Sequence, residues 1–191
     1  MKKILQVGDP ILEKESIPVK DPRSSETQGL INDLTTICKH YEKIAGGLSA
    51  PQIGENLNIC IVRRIDLEES FQKKKKKFPR SRLWEVLINP EIIKLGNKKD
   101  IYWEGCLSVE MGEVFGPIER PSFVKVKYLD RYGHDKVLIA SGFFAHEILH
   151  EYDHLLGILF ISYIKNPKNL WKDKEIDEYL QRHGDLPEII D

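Results

Sequence analysis

The distribution of apolar positions separates the chain into helical and extended stretches. Leu30, Ile31, Leu34, Ile37, Cys38 and Tyr41 recur at helical spacing after Ser25-Glu26-Thr27-Gln28. That tetrapeptide reads as a capping box, which satisfies the free amides of a first helical turn, so an N-terminal helix is predicted. Beyond Gly46-Gly47 the pattern shortens to β-like runs at 58–62, 86–88, 91–95, 124–128 and 136–139, with a turn at Gly133 between the last two. A second helix is predicted from about Gly142 to Leu156. A third starts at Asn166-Pro167, a capping residue with proline at the first helical position, and stops before Gly184. Strands adjacent in sequence and interrupted by few helices indicate an α+β fold rather than a doubly wound parallel sheet.

Composition narrows the class. At 191 residues, with 41% apolar and 31% charged side chains, the chain reads as a single domain over 1–191 and not as a disordered one. Its 29 basic and 30 acidic residues leave a net charge of −1, which supplies no global field for nucleic acid or an anionic membrane. The three cysteines (Cys38, Cys60, Cys106) are odd in number and irregularly spaced, against a disulfide framework and for a reducing compartment. Cys38 lies on the first helix's apolar stripe and Cys60 inside an apolar strand-like run, so both are expected in the core. The apolar stretch at the start breaks at Gln6, too short for a signal-peptide core, and no run approaches a membrane span. A cytoplasmic protein is expected. The five lysines at 73–77 read as a solvated loop between two strands, the alternative being contact with RNA or another acidic partner.

The second helix concentrates the chemistry. It contains H-E-x-x-H twice, as His146-Glu147-x-x-His150 and His150-Glu151-x-x-His154. Histidines four apart stand one above the other and can share a metal ion, with the intervening Glu beside a water on that ion. His146 and His154 are about 12 Å apart along the axis, so the three cannot share one ion. By helix geometry Phe144, Ala145, Ile148, Leu149, Tyr152, Leu155 and Leu156 cover one half and the histidines and carboxylates project from the other. Neither frame completes the three-histidine protease motif, since the position after His154-x-x-Gly157-x-x is Phe160. Glu175 and Glu178 remain open as a third ligand, and Cys106, in Trp103-Glu104-Gly105-Cys106-Leu107-Ser108, is the best candidate.

These segments together resemble the peptide deformylase family over nearly the whole chain. Gly47-Leu48-Ser49-Ala50-Pro51-Gln52-Ile53-Gly54 is similar to its G-L-A-A-P-Q segment, Glu104-Gly105-Cys106-Leu107-Ser108 matches E-G-C-L-S, and His150-Glu151-Tyr152-Asp153-His154 matches H-E-x-D-H. Gly8-Asp9-Pro10, Arg120-Pro121 and Gly157-x-Leu159-Phe160 add to the likeness. The resemblance implies short, mostly antiparallel strands around a central helix that carries the motif, flanked by N-terminal and C-terminal helices. It selects Cys106, His150 and His154 as ligands of one divalent metal ion, Fe(II) in the cell, with Zn(II), Ni(II) or Co(II) possible in purified protein. Glu151 is then the acid/base, Gln52 and the Leu107 amide stabilise the oxyanion, and Gly46, Gly47 and Gln52 bind substrate.

The implied reaction removes the formyl group from formyl-methionine at the end of new polypeptides, releasing formate. Glu104 and Asp153 are expected to orient the ligand histidines, and His146 to be a supporting or merely surface residue. The third helix, with Trp171, Ile176, Tyr179 and Leu180, is expected to pack on the body of the protein, the alternative being transient ribosome contact. The chain departs from the family pattern at Ala45, Gly46, Ser49 and Leu149, and 63–82 looks like an insertion. The competing readings are an H-E-x-x-H metallopeptidase and a non-catalytic module that binds metal or peptide.

Overall fold

In the computed structural model, which describes residues 1–191, two antiparallel sheets enclose one helix. The elements in chain order are α1 (Ser25–His40), β1 (Gly47–Ser49), β2 (Ile59–Arg63), α2 (Ile65–Lys73), β3 (Trp84–Leu95), β4 (Lys99–Gly105), β5 (Val114–Pro121), β6 (Phe123–Leu129), β7 (Asp135–Ser141), α3 (Phe143–Leu155), β8 (Trp171–Lys172) and α4 (Asp173–His183). The larger sheet has the order β1-β2-β3-β6-β7 and the smaller β4-β5-β8. This is the expected α+β architecture.

Strand β2 explains how the large sheet is used. Side chains alternate between the faces of a strand. Ile59 and Ile61 pack with Leu30, Leu34 and Ile37 of α1, while Cys60 and Val62 pack with Phe144, Ile148 and Leu149 of α3. A strand covered on both faces reads as one apolar run, which is why 58–62 was legible. Cys38 and Cys60 are buried in these two clusters, and burial raises both thiols above their ordinary range. A third cluster, Cys106, Val109, Ile118 and Phe160, lies beneath the small sheet. No helix is long and apolar enough to cross a membrane.

Several local expectations need correction. The cap of α1 is Ser24, whose Oγ accepts the Thr27 N–H at 3.1 Å, one residue before the predicted box. The runs 86–88 and 91–95 are one strand, β3, whose register shifts at Asn89-Pro90. Asn89 has a φ of 48° and closes this irregularity by bonding both polar groups of Val19, at 2.8 and 2.9 Å. Asn166 caps only a short 3₁₀ turn, Pro167–Asn169, and the helix that stops at Gly184 begins at Asp173. The stretch between β2 and β3 contains α2, with Lys73 at its end and Lys74 to Lys77 exposed beyond it. Gly116, Pro117 and Pro121 disguised β5, because strand interiors ordinarily exclude them.

Candidate metal centre

Helix α3 is buried on both sides. Its apolar residues face the large sheet, and His146, Glu151, Asp153 and His154, predicted on a projecting polar half, are buried as well. The covering layer is the end of β4 and the turn that follows it, which carry Glu104, Cys106, Leu107 and Ser108.

Here Cys106 Sγ lies 3.2 Å from His154 Nε2, and donor atoms of Cys106, His150 and His154 all fall within 4.8 Å of one another. Glu175 and Glu178 lie on α4, where Glu175 accepts the Lys172 amide and Glu178 pairs with Arg182. His146 stays outside the donor group. Its Nε2 contacts Glu104 and its ring meets Tyr102 edge-on at 5.0 Å, so it is an interior residue.

Glu104 organises the layer behind the donors. Its Oε2 is 2.7 Å from His150 Nδ1, and Arg120 donates to both of its oxygens, Nε at 2.5 Å and Nη2 at 3.1 Å. Arg120 Nη1 reaches Asp153 Oδ2 at 2.6 Å. Asp153 therefore pairs with Arg120 and not with a histidine. Burial opposes the charge on Glu104, but His146, His150 and Arg120 hold its carboxyl well below the usual range.

The donor chemistry fits a divalent metal ion. A thiolate and two imidazoles suit borderline-soft ions, and with Glu104 against Nδ1 of His150 the other ring nitrogen, Nε2, is the one an ion would take. Against burial, Cys106 and Glu104 hold His150 well above the ordinary imidazole range, so an ion would displace a proton there. Burial, with His150 and Arg120 nearby, lowers His154 well below the ordinary imidazole range, which keeps it neutral as a ligand must be.

A cleft of about 250 Å³ opens beside the three donors, lined by Gly46, Gly47, Gln52, Leu107, Glu147 and Glu151 among others. The close approach of β1 to α3 requires its glycine: a Cβ on Gly47 would lie 2.5 Å from Glu151 Cγ. Gln52 is fixed by accepting the Ser49 amide at 2.8 Å, which leaves its NH₂ 3.2 Å from Ser108 Oγ and 3.5 Å from Cys106 Sγ. The Leu107 amide donates to no protein acceptor. Burial pushes the Glu151 carboxyl up to about 7, against His150 and a hydrogen bond from Ser49 Oγ at 2.7 Å. A carboxyl near neutrality in a closed site can both take and return a proton.

Sequence reasoning missed three of these partners. Ser49 was only a departure from a pattern, Ser108 only the last letter of a motif, and Arg120 only a supporting match. Their tasks arise from contacts across 102, 56 and 16 residues of chain, for which no periodicity gives a signal.

A family model described as Polypeptide deformylase matches residues 1–170. The Peptide deformylase 2 of Clostridium perfringens is 39% identical over 167 residues, covering 86% of this chain and 94% of its own. Among solved structures, a peptide deformylase from Legionella pneumophila has a TM-score of 0.75 at 28% identity, covering 98% of this chain and 99% of that one. A Met-Ala-Ser-bound class I type b peptide deformylase from Acinetobacter baumannii has a TM-score of 0.70 at 29% identity, covering 86% and 98%.

Proposed function

The chain belongs to the polypeptide deformylase family, and from that premise we propose how its own residues divide the hydrolysis of an N-terminal formyl amide. The observation that carries the assignment of roles is the convergence of Cys106, His150 and His154 beside Glu151 and the unbonded Leu107 amide. Cys106, His150 and His154 would hold the ion, Fe(II) in the cell, with Zn(II), Ni(II) or Co(II) compatible with the same donors. Such an ion acidifies water and stabilises negative charge developing on oxygen.

Glu151 accepts the proton of the attacking water as its oxygen bonds to the formyl carbon. Ser49 holds the carboxylate in place through Oγ. The tetrahedral oxyanion accepts from the Gln52 Nε2–H and the Leu107 N–H, donors already oriented before substrate binds. Glu151 then delivers the proton to the departing amine as the C–N bond breaks, and formate leaves. Gly46 and Gly47 admit the peptide backbone to the cleft. Glu104, anchored by Arg120, fixes the ring of His150.

The substrate is the formyl-methionyl end of a newly made polypeptide, which places the enzyme in the cytoplasm where that end is produced. The segment after Lys165 is read as packing on the body, with Ile176 buried and Trp171 edge-on to Tyr179; salt-sensitive ribosome binding lost on deleting that segment would instead make it a transient ribosome contact. We read residues 1–191 as one folding unit.

The direct test is formate release from formyl-Met-Ala-Ser by metal-loaded protein, beside Glu151→Ala with its metal content measured. The variant should retain metal and lose on the order of 10² to 10⁴ in rate, the range for a positioned acid/base. No formate from the loaded wild type would sink the assignment. Cleavage of an internal peptide bond would favour the metallopeptidase.

A further inference from the structure

One carboxylate in the cleft has no task in this mechanism. Glu147 lies one helical turn before Glu151 on α3, half-buried, and it makes no hydrogen bond or ion pair within the protein. Its position depends on Gly46: a Cβ there would fall 1.5 Å from Glu147 Oε2 and 2.4 Å from its Cδ. The glycine thus supplies the space that the carboxylate fills. Both residues line the cleft with Phe143, one further turn along the helix.

The distance from the reacting carbon follows from helix geometry. Four residues of α-helix rise about 6 Å. A peptide whose formyl carbon sits beside Glu151 carries a first side chain of about that length, and the one cleft that both carboxylates line has room to direct it toward Glu147. An ionised carboxylate only accepts hydrogen bonds, and the thioether of methionine is a weak acceptor with nothing to donate. A primary amine or amide tip, by contrast, would supply the hydrogen-bond donor that no protein group gives this half-buried carboxylate.

We propose that Glu147, in the space left by Gly46, is a specificity-determining residue that faces the first side chain of the substrate and extends the substrate class to N-formyl peptides with a cationic or hydrogen-bond-donating first side chain. The proposal rests on the formyl-peptide reading of the cleft. Burial pushes the Glu147 carboxyl up, and a bound cation would oppose that push.

Two readouts test it. Calorimetric titration of the zinc-loaded protein with Met-Ala-Ser and Lys-Ala-Ser gives an affinity ratio that needs no turnover. The Lys/Met ratio should fall at least tenfold in Glu147→Gln, which keeps the size of the side chain, and again in Glu147→Leu; tenfold is the scale of one charge-assisted hydrogen bond. The ratio of kcat/KM for formyl-Lys-Ala-Ser over formyl-Met-Ala-Ser should move in parallel. Gly46→Ala, which keeps the carboxylate but takes its space, should shift both ratios the same way. Ratios within twofold of wild type in both Glu147 variants, or no binding of either tripeptide, would overturn the proposal. Binding ratios that shift as expected without formate from any peptide would instead remove the deformylase reading and leave the Glu147 contact standing.

Discussion

At the scale of single residues, the site depends on positions where one atom more or less matters. Gly47→Ala would place a methyl 2.5 to 2.7 Å from Cγ, Cδ and Oε1 of the buried Glu151. The expected result is a fall in kcat on the order of 10²-fold, the effect of displacing the proposed acid/base by about an ångström. Thermal unfolding measured beside kinetics should show a loss of only a few degrees, and unchanged kcat would contradict the contact. Arg120 is the opposite case, a buried charge that compensates two others. Arg120→Ala strands Glu104 and Asp153 without their common partner, both with little solvent access. Removing one member of such a network costs about 3 to 5 kcal/mol, to be read from denaturant midpoints. A loss below about 1 kcal/mol would mean that water replaces the guanidinium.

At the scale of elements, the turn after β4 matters most. Its backbone is unusual: Glu110 and Met111 have φ of 47° and 54°, and Gly112 follows at 84°. Consecutive left-handed residues that are not glycine need support from their surroundings. The support comes from the N-terminal segment. Gln6 Nε2 donates to the Leu107 carbonyl at 2.9 Å, Gln6 Oε1 accepts the Met111 amide at 3.3 Å, and the Val7 amide donates to the Ser108 carbonyl at 2.8 Å. Gln6 therefore holds the turn that presents the Leu107 N–H. Gln6→Ala should lower kcat about 10-fold with KM nearly unchanged, and Gln6→Glu, which keeps only the acceptor, should recover part of it. A change confined to KM would assign Gln6 to substrate binding instead. The same scale explains why the third helix was misplaced. Asn166-Pro167 does start a helical turn, but Trp171-Lys172 then pairs with Val114 and Phe115 of β5, and only afterwards can α4 begin.

At the scale of the whole molecule, the donor site joins two bodies of structure. Cys106 comes from the end of the small sheet, and His150 and His154 from a helix packed on the large one. An ion held by all three would bridge them and bind the folded chain alone, because the unfolded chain does not keep the donors together. At a metal concentration of about 100 Kd this linkage contributes roughly 2.7 kcal/mol. For a chain of this size that is a rise in Tm of about 5 to 10 °C. Calorimetric scans with and without chelator should show that difference in the wild type and lose it in Cys106→Ala. An equal shift in the variant would place the ion elsewhere.

The sequence alone determined what local pattern encodes. The doubled H-E-x-x-H lay on one predicted helix, and Cys38 and Cys60 lay on apolar runs, because helical and extended periods are properties of neighbouring residues. The motifs around Gly47, Cys106 and His150 indicated which residues belong together, although not why. Tertiary structure decided the rest. It buried His146, gave Asp153 to Arg120, set Ser49 against Glu151 and left Glu147 without a partner beside Gly46. The first three of these outcomes depend on residues far apart in sequence meeting in a water-poor interior. There the cost of an unpaired charge selects partners that no periodicity along the chain can specify.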